Sequence, residues 1–178
     1  MVPFAKGDRA VAASDLSGPF SDADELRHVL SQTCRSAAEG IPGNQTGYVK
    51  GEVRLTVHDL GLSVSFKGLD QNPFVGEPSG KAGAGLSTDS QTVHELLSGL
   101  IGTPEALSSG RLVATGDTEL LSRMILLLPW LIASYPQTLS ARGRNDLRQE
   151  AVKGPAIRED RARRLRDKAM AEIRKAGV

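Results

Sequence analysis

Glu52-Val53-Arg54-Leu55-Thr56-Val57-His58-Asp59-Leu60-Gly61-Leu62-Ser63-Val64-Ser65-Phe66-Lys67 alternates apolar and polar residues twice, with a break at Asp59-Leu60-Gly61. Val53, Leu55 and Val57 share one side of the first run; Leu62, Val64 and Phe66 share one side of the second. A period of two belongs to extended backbone, whose successive side chains point to opposite faces. The stretch reads as an antiparallel hairpin with one wet face, and Gly61 suits a positive φ in a three-residue loop. Two strands with an apolar face need a cover, which must come from elsewhere in the chain.

Upstream, residues 1–20 are a mix of Gly, Ser, Asp and Ala without a period, expected as a flexible lead-in. Ser21 followed by Asp24 predicts a helix start, Leu26, Val29, Leu30, Thr33 and Ala37 fall on one helical face, and Gly40 with Pro42 gives the stop. The expected helix covers 22–39. Downstream, residues 68–85 are rich in Gly, Pro, Asn and Asp, an irregular connection with a short edge strand near Phe74. Thr88 opens a second helix, with Val93, Leu96, Leu97 and Leu100 as its stripe. Thr103 is expected as N-cap of a short third helix with Pro104 at its first position, closed by Gly110, and Arg111 to Thr115 is expected as a strand. Gly116-Asp117 turns into a final helix that is apolar nearly all round: Leu120, Leu121, Met124, Ile125, Leu127, Leu128, Trp130 and Leu131. Pro129 must kink or end it.

The segments Leu86-Ser87-Thr88-Asp89, Leu96-Leu97-Ser98-Gly99 and Thr103-Pro104-Glu105-Ala106-Leu107-Ser108-Ser109-Gly110-Arg111-Leu112-Val113-Ala114-Thr115-Gly116-Asp117 resemble the second half of the sterol carrier protein 2 family. The hairpin stands where that family has its first two strands, so the resemblance covers roughly 46–135. It implies an α/β (α+β) fold: a five-stranded, mainly antiparallel sheet covered by helices, with an apolar tunnel between them. It also implies reversible binding or carriage of a hydrophobic molecule such as a lipid, sterol, isoprenoid or polyketide-like compound. The expected ligand-binding residues are then Leu55, Val57, Val64, Phe66, Leu97, Leu100, Leu121, Met124, Ile125, Leu128 and Trp130.

Composition bounds the alternatives. With 178 residues, 39% of them apolar, the chain has room for one domain. The net charge of +1 hides a body of −5 over residues 1–140 and a tail of +6 over 141–178. Residues 21–138 are expected as the lipid-binding domain and 139–178 as a basic helical tail, with Leu165, Ala169 and Ile173 as a thin apolar seam. That tail suits an anionic membrane surface or an acidic partner; nucleic acid is the least suited, because the body is acidic and aromatic residues are few. The tail is expected to add little to the stability of the body.

Cys34 is the only cysteine, which excludes an intrachain disulfide and a four-cysteine zinc site. A cytoplasmic location is expected, since the first residues lack the apolar run of a secretory signal. The longest apolar stretch, Met124 to Ala133, is too short to span a bilayer. Neither a cofactor nor a metal is implied. The candidates for acid–base chemistry are His58, Asp59 and His94, because imidazole titrates near neutral pH. They keep two further readings open: a stand-alone cyclase or isomerase using the same apolar pocket, and a structural subunit that dimerises through the final helix. The oligomeric state and the ligand's identity are not fixed by the sequence.

Overall fold

In the structure, a computed structural model that describes residues 18–40, 51–67, 74–78 and 80–175, the hairpin forms as β1 (Glu52–Val57) and β2 (Leu62–Lys67). Val57 faces Leu62 across a loop of four residues, 58–61, one longer than expected. The His58 N–H donates to the Thr88 carbonyl of the neighbouring strand at 3.0 Å, and the His58 carbonyl accepts from the Gly61 N–H at 3.2 Å to close the turn. Gly61 takes φ 60° as expected. β3 (Phe74–Gly76) pairs antiparallel with β2, β4 (Ala84–Thr88) runs parallel to β1 with Leu55 beside Leu86, and β5 (Val113–Gly116) closes antiparallel on β4. The sheet has five strands in the order β3-β2-β1-β4-β5, a mixed α/β arrangement.

One face of this sheet is dry. Val53, Leu55, Val57, Leu62, Val64 and Phe66 are all buried, while Arg54, Thr56 and Ser63 on the other face are partly exposed. The cover is helical. α1 (Ala23–Gly40) buries Leu26, Val29, Leu30, Thr33, Cys34 and Ala37, the face its periodicity predicts, and packs on β2 and β3. Its cap lies one residue later than expected: Asp22 accepts from the Glu25 N–H at 2.7 Å, and Glu25 reaches back to the Ser21 N–H at 2.7 Å. α2 (Ser90–Leu97) is likewise capped one residue late, by Asp89, whose carboxylate accepts from the Thr92 N–H at 2.6 Å. In α3 (Thr103–Ser108) the N-cap is Gly102, not Thr103, and no side chain caps it.

The expected single final helix is two. α4 (Thr118–Ile125) is capped by Asp117, and α5 (Leu128–Ala141) starts afresh with Pro129 in its first turn, the pair bent by 51°. A proline lacks the amide that would continue α4 but fits the first turn of a new helix, whose amides are unbonded anyway. No single helix among the described residues is long and apolar enough to cross a membrane; only the bent pair α4 and α5 together passes by length and composition.

The expected domain boundary after residue 138 falls inside α5, and α6 (Asn145–Lys175) packs against α5 and α2. Leu139, Leu147 and Ala151 are buried in the main core. Arg144 joins Glu25 of α1, donates to the Pro19 carbonyl at 2.5 Å and pairs with Asp146 at 2.9 Å. A Cβ on Gly154 would sit 1.8 Å from the Ser98 carbonyl oxygen, so α6 crosses the end of α2 in direct backbone contact. The first half of the charged segment is thus part of the body. The side chains of the thin seam at Leu165, Ala169 and Ile173, and residues 1–17 of the lead-in, lie outside the described residues; the end of the lead-in expected to be flexible through residue 20 is instead packed, with Phe20 buried in the main core.

Candidate functional site

Between the dry sheet face and the helices lies a cavity of about 120 Å³. Leu55, Phe66 and Leu86 line it from the sheet; Leu30, Thr33 and Cys34 from α1; Val93, Leu96 and Leu97 from α2; Leu121, Met124 and Ile125 from α4; and Leu128 and Leu131 from α5. Thr88, Thr103, Leu107, Leu112 and Ala114 complete the wall. Three of these are exposed: Leu107 on α3, Ala114 on β5 and Ile125 at the end of α4. They mark the mouth, at the β5 edge of the sheet, and Leu126 beside it is 70% exposed.

Of the expected ligand-binding residues, Leu55, Phe66, Leu97, Leu121, Met124, Ile125 and Leu128 stand in this wall. Val57 and Val64 do not: both are fully buried in the solid part of the core. Leu100 lies beyond the end of α2, where its N–H is close to Gly154, and Trp130 packs partly buried against two of the three apolar clusters without reaching the wall. Each carries an apolar side chain on an inward face, which is all that periodicity reports. The wall residues of α1 were legible as a buried helical face, but nothing in their spacing says that the face meets a cavity rather than packed side chains.

The wall is nearly all hydrocarbon. Burial pushes the Cys34 thiol up to about 12, so it stays protonated. The Thr88 hydroxyl donates to the Arg111 carbonyl at 2.8 Å. The Thr33 hydroxyl is buried and has no hydrogen-bond partner.

The three acid–base candidates stand elsewhere. His58 is exposed and meets the Ser87 hydroxyl at 2.5 Å; Ser87 lines an open polar groove on the wet face of the sheet with Arg54, Thr56, Lys81 and Thr115. Asp59 acts structurally, accepting from the Ser90 N–H at 2.9 Å and from its hydroxyl at the start of α2. His94 is 1% exposed and sits between α2, α5 and α6. Its Nε2 is 3.2 Å from the Glu150 carboxylate and its Nδ1 is 2.8 Å from the Tyr135 hydroxyl. A carboxylate only accepts, so Nε2 carries the proton and Nδ1 accepts from Tyr135. Burial holds His94 below the ordinary histidine value against the pull of Glu150, and burial raises Tyr135, so both are neutral. None of the three lines the cavity. Among the described residues, no group of three or more His, Cys, Asp or Glu could hold a metal.

No protein-family model matches the sequence, and no curated protein matches it. Solved structures do. A protein described as a UbiJ-SCP2 ubiquinone synthesis protein is similar over 60% of this chain and 95% of its own, at 16% identity and a TM-score of 0.50. The sterol carrier protein domain 2 of Helicoverpa armigera is similar over 63% of this chain and 94% of its own, at 15% identity and a TM-score of 0.49. The fold is the sterol carrier protein 2 fold. At these identities the likeness is one of fold.

Proposed function

We propose that this protein reversibly binds and carries an apolar small molecule in the cavity beneath α4 and α5. The observation that supports it is the wall itself: sheet, α1, α2, α4 and α5 all turn hydrocarbon toward one space, and its rim is open to solvent. A cavity lined almost entirely by hydrocarbon stays dry, and an empty dry space costs packing energy that a ligand restores. The fold supports the same reading, since structures that share it are described as sterol carrier proteins. Among the described residues, no carboxylate, imidazole or amine lines the wall, which favours carriage over acid–base chemistry.

At about 120 Å³ the space holds a group of roughly benzene size. A long lipid needs more room, and the joint between α4 and α5 is where the cover can lift. Loading from an anionic bilayer belongs to this reading. Leu107, Ile125 and Leu126 are 39%, 38% and 70% exposed at the mouth, and the Arg161–Glu105 ion pair at 3.1 Å holds the basic α6 against α3, which carries Leu107.

Native mass spectrometry of the freshly purified chain, followed by titration with fatty acids, sterols and quinones while Trp130 emission is read, tests the proposal. A co-purified lipid, or saturable binding at micromolar levels, is expected. Failure of every class to bind would refute it. For the membrane step, Leu126→Asp is expected to cut sedimentation with anionic vesicles at least several-fold; equal sedimentation by the two forms would remove it.

A further inference from the structure

The face of the sheet turned away from the helices carries a second concavity, a groove of about 560 Å³. Its floor follows from the strand register. Across β1, β4 and β5, Arg54, Gly85 and Thr115 stand in one row, and Thr56, Ser87 and Val113 stand in the next. Side chains alternate along a strand, so Ala114 lines the apolar cavity while its neighbour Thr115 lines the groove. Gly85 leaves a gap in the first row. A Cβ there would stand 2.9 Å from the Thr115 hydroxyl oxygen and 4.0 Å from the Arg54 carbonyl oxygen, so the absent side chain is what keeps the floor open.

The groups around this gap are donors. Arg54 donates to the Gly80 carbonyl at 2.8 Å, which uses one of its five N–H groups and ties it to the loop 80–83. That loop brings Lys81 to the groove, exposed and with no ion-pair partner among the described residues. Thr56, Ser87 and Thr115 add three hydroxyls, and the Ser87 hydroxyl is 2.5 Å from the His58 imidazole. Among the described residues no carboxylate lines the groove. Glu52 lies 3.7 Å from Arg54, but it is shared with Lys67 at 3.4 Å and with the Ser65 hydroxyl at 2.5 Å. Two cations and three hydroxyls therefore face one open floor without an acid among them.

We propose that this groove is a second binding site, which takes the phosphate or diphosphate group of a soluble ester. The guanidinium and the ammonium supply charge, and the hydroxyls supply directed donors. A carboxylate offers two oxygens to this set, whereas a phosphate ester offers three and a diphosphate more. The ligand is soluble because the apolar rim suited to a bilayer, at Leu107 and Ile125, lies on the helical side of the sheet and the groove on the other. The site does not rest on carriage in the cavity: the sheet separates the two.

Isothermal titration of the full chain with sodium diphosphate, methyl phosphate and, at matched ionic strength, acetate tests this. Saturable binding of diphosphate below about 1 mM is expected, weakening as salt is added, with acetate at least about tenfold weaker. Lys81→Gln is expected to weaken diphosphate binding about fivefold and to leave the denaturation midpoint where it was, because Lys81 is exposed. Thr115→Val is expected to weaken it in the same direction, while Lys153→Gln on α6 leaves it unchanged. Equal affinity in the parent, Lys81→Gln and Thr115→Val, or no saturable binding up to about 10 mM diphosphate, would overturn the site. Sedimentation with phosphatidic acid vesicles settles the source of the phosphate. Equal sedimentation by the parent and Lys81→Gln is expected; a loss confined to the variant would overturn the soluble ester in favour of a lipid headgroup.

Discussion

His94 ties three helices together from a buried position. Its imidazole is neutral because burial outweighs Glu150, and it links α2 to α5 through Tyr135 and to α6 through Glu150. Below the ordinary value near 6.5 the unfolded chain takes up a proton that folded His94 resists. The unfolded state then binds more protons, so stability falls as pH drops below that value, by at most about 1.4 kcal/mol per pH unit, and is flat above it. Melting curves of the parent and of His94→Gln across this range check it: the slope is expected to vanish in the variant, while the loss at lower pH from Glu25, whose carboxyl stays below its ordinary 4.5, remains. An identical slope in both would mean that His94 does not titrate as its surroundings require. Cys34 makes a second residue-scale test. A thiol held at about 12 in a closed wall reacts slowly with maleimides, and a bound ligand is expected to slow it further.

At the scale of elements, α6 carries the main lesson. Its charge suggests a free, solvated helix, but Leu147 is 7% and Ala151 2% exposed, and Gly154 rides on the Ser98 carbonyl. Gly154→Val forces a side chain where 1.8 Å is available, and is expected to cost about 2 kcal/mol or more, read as a lower denaturation midpoint. Removing α6 after residue 143 is expected to destabilise the body by a similar or larger amount, since it uncovers Tyr135 and Leu139. If neither change moves the midpoint, the contact of α6 with α2 does not form in solution. The joint of α4 and α5 obeys another logic. Pro129 ends the first helix, and Leu126 and Leu127 carry the turn between the two, their N–H groups donating to the Ser122 and Met124 carbonyls at 3.2 and 3.0 Å.

For the molecule as a whole, the cavity is a gap in the packing that costs stability. Leu121 is 6% exposed and belongs to the wall, so Leu121→Ala enlarges a space that is already under-filled. It is expected to lose about 2 to 3 kcal/mol and to accept bulkier ligands, which melting and sterol titration together would show. Met124→Asp places a carboxylate in the same wall, in which no cation stands among the described residues, and is expected to abolish apolar binding while the hairpin and α6 stay folded. Retained binding in that variant would place the ligand outside the cavity.

The hairpin, the amphipathic faces of α1 and α2, and the strand after Gly110 were legible in the sequence, because periodicity and turn residues are local and each element states its own buried side; β4, at Ala84–Thr88 beside β1, was not, because it begins inside the Gly-rich stretch expected as an irregular connection. That seven of the expected ligand-binding residues reach the wall follows from the same signal. Val57 and Val64 miss the wall because an inward apolar side chain looks the same in the sequence whether it meets a neighbour or a void. The tertiary structure alone decided that difference, together with the unpaired hydroxyl of Thr33 and the burial of His94, 56 residues from Glu150 along the chain. Packing gaps and long-range polar contacts depend on how separate elements come to rest on one another, and no local pattern encodes the space left between them.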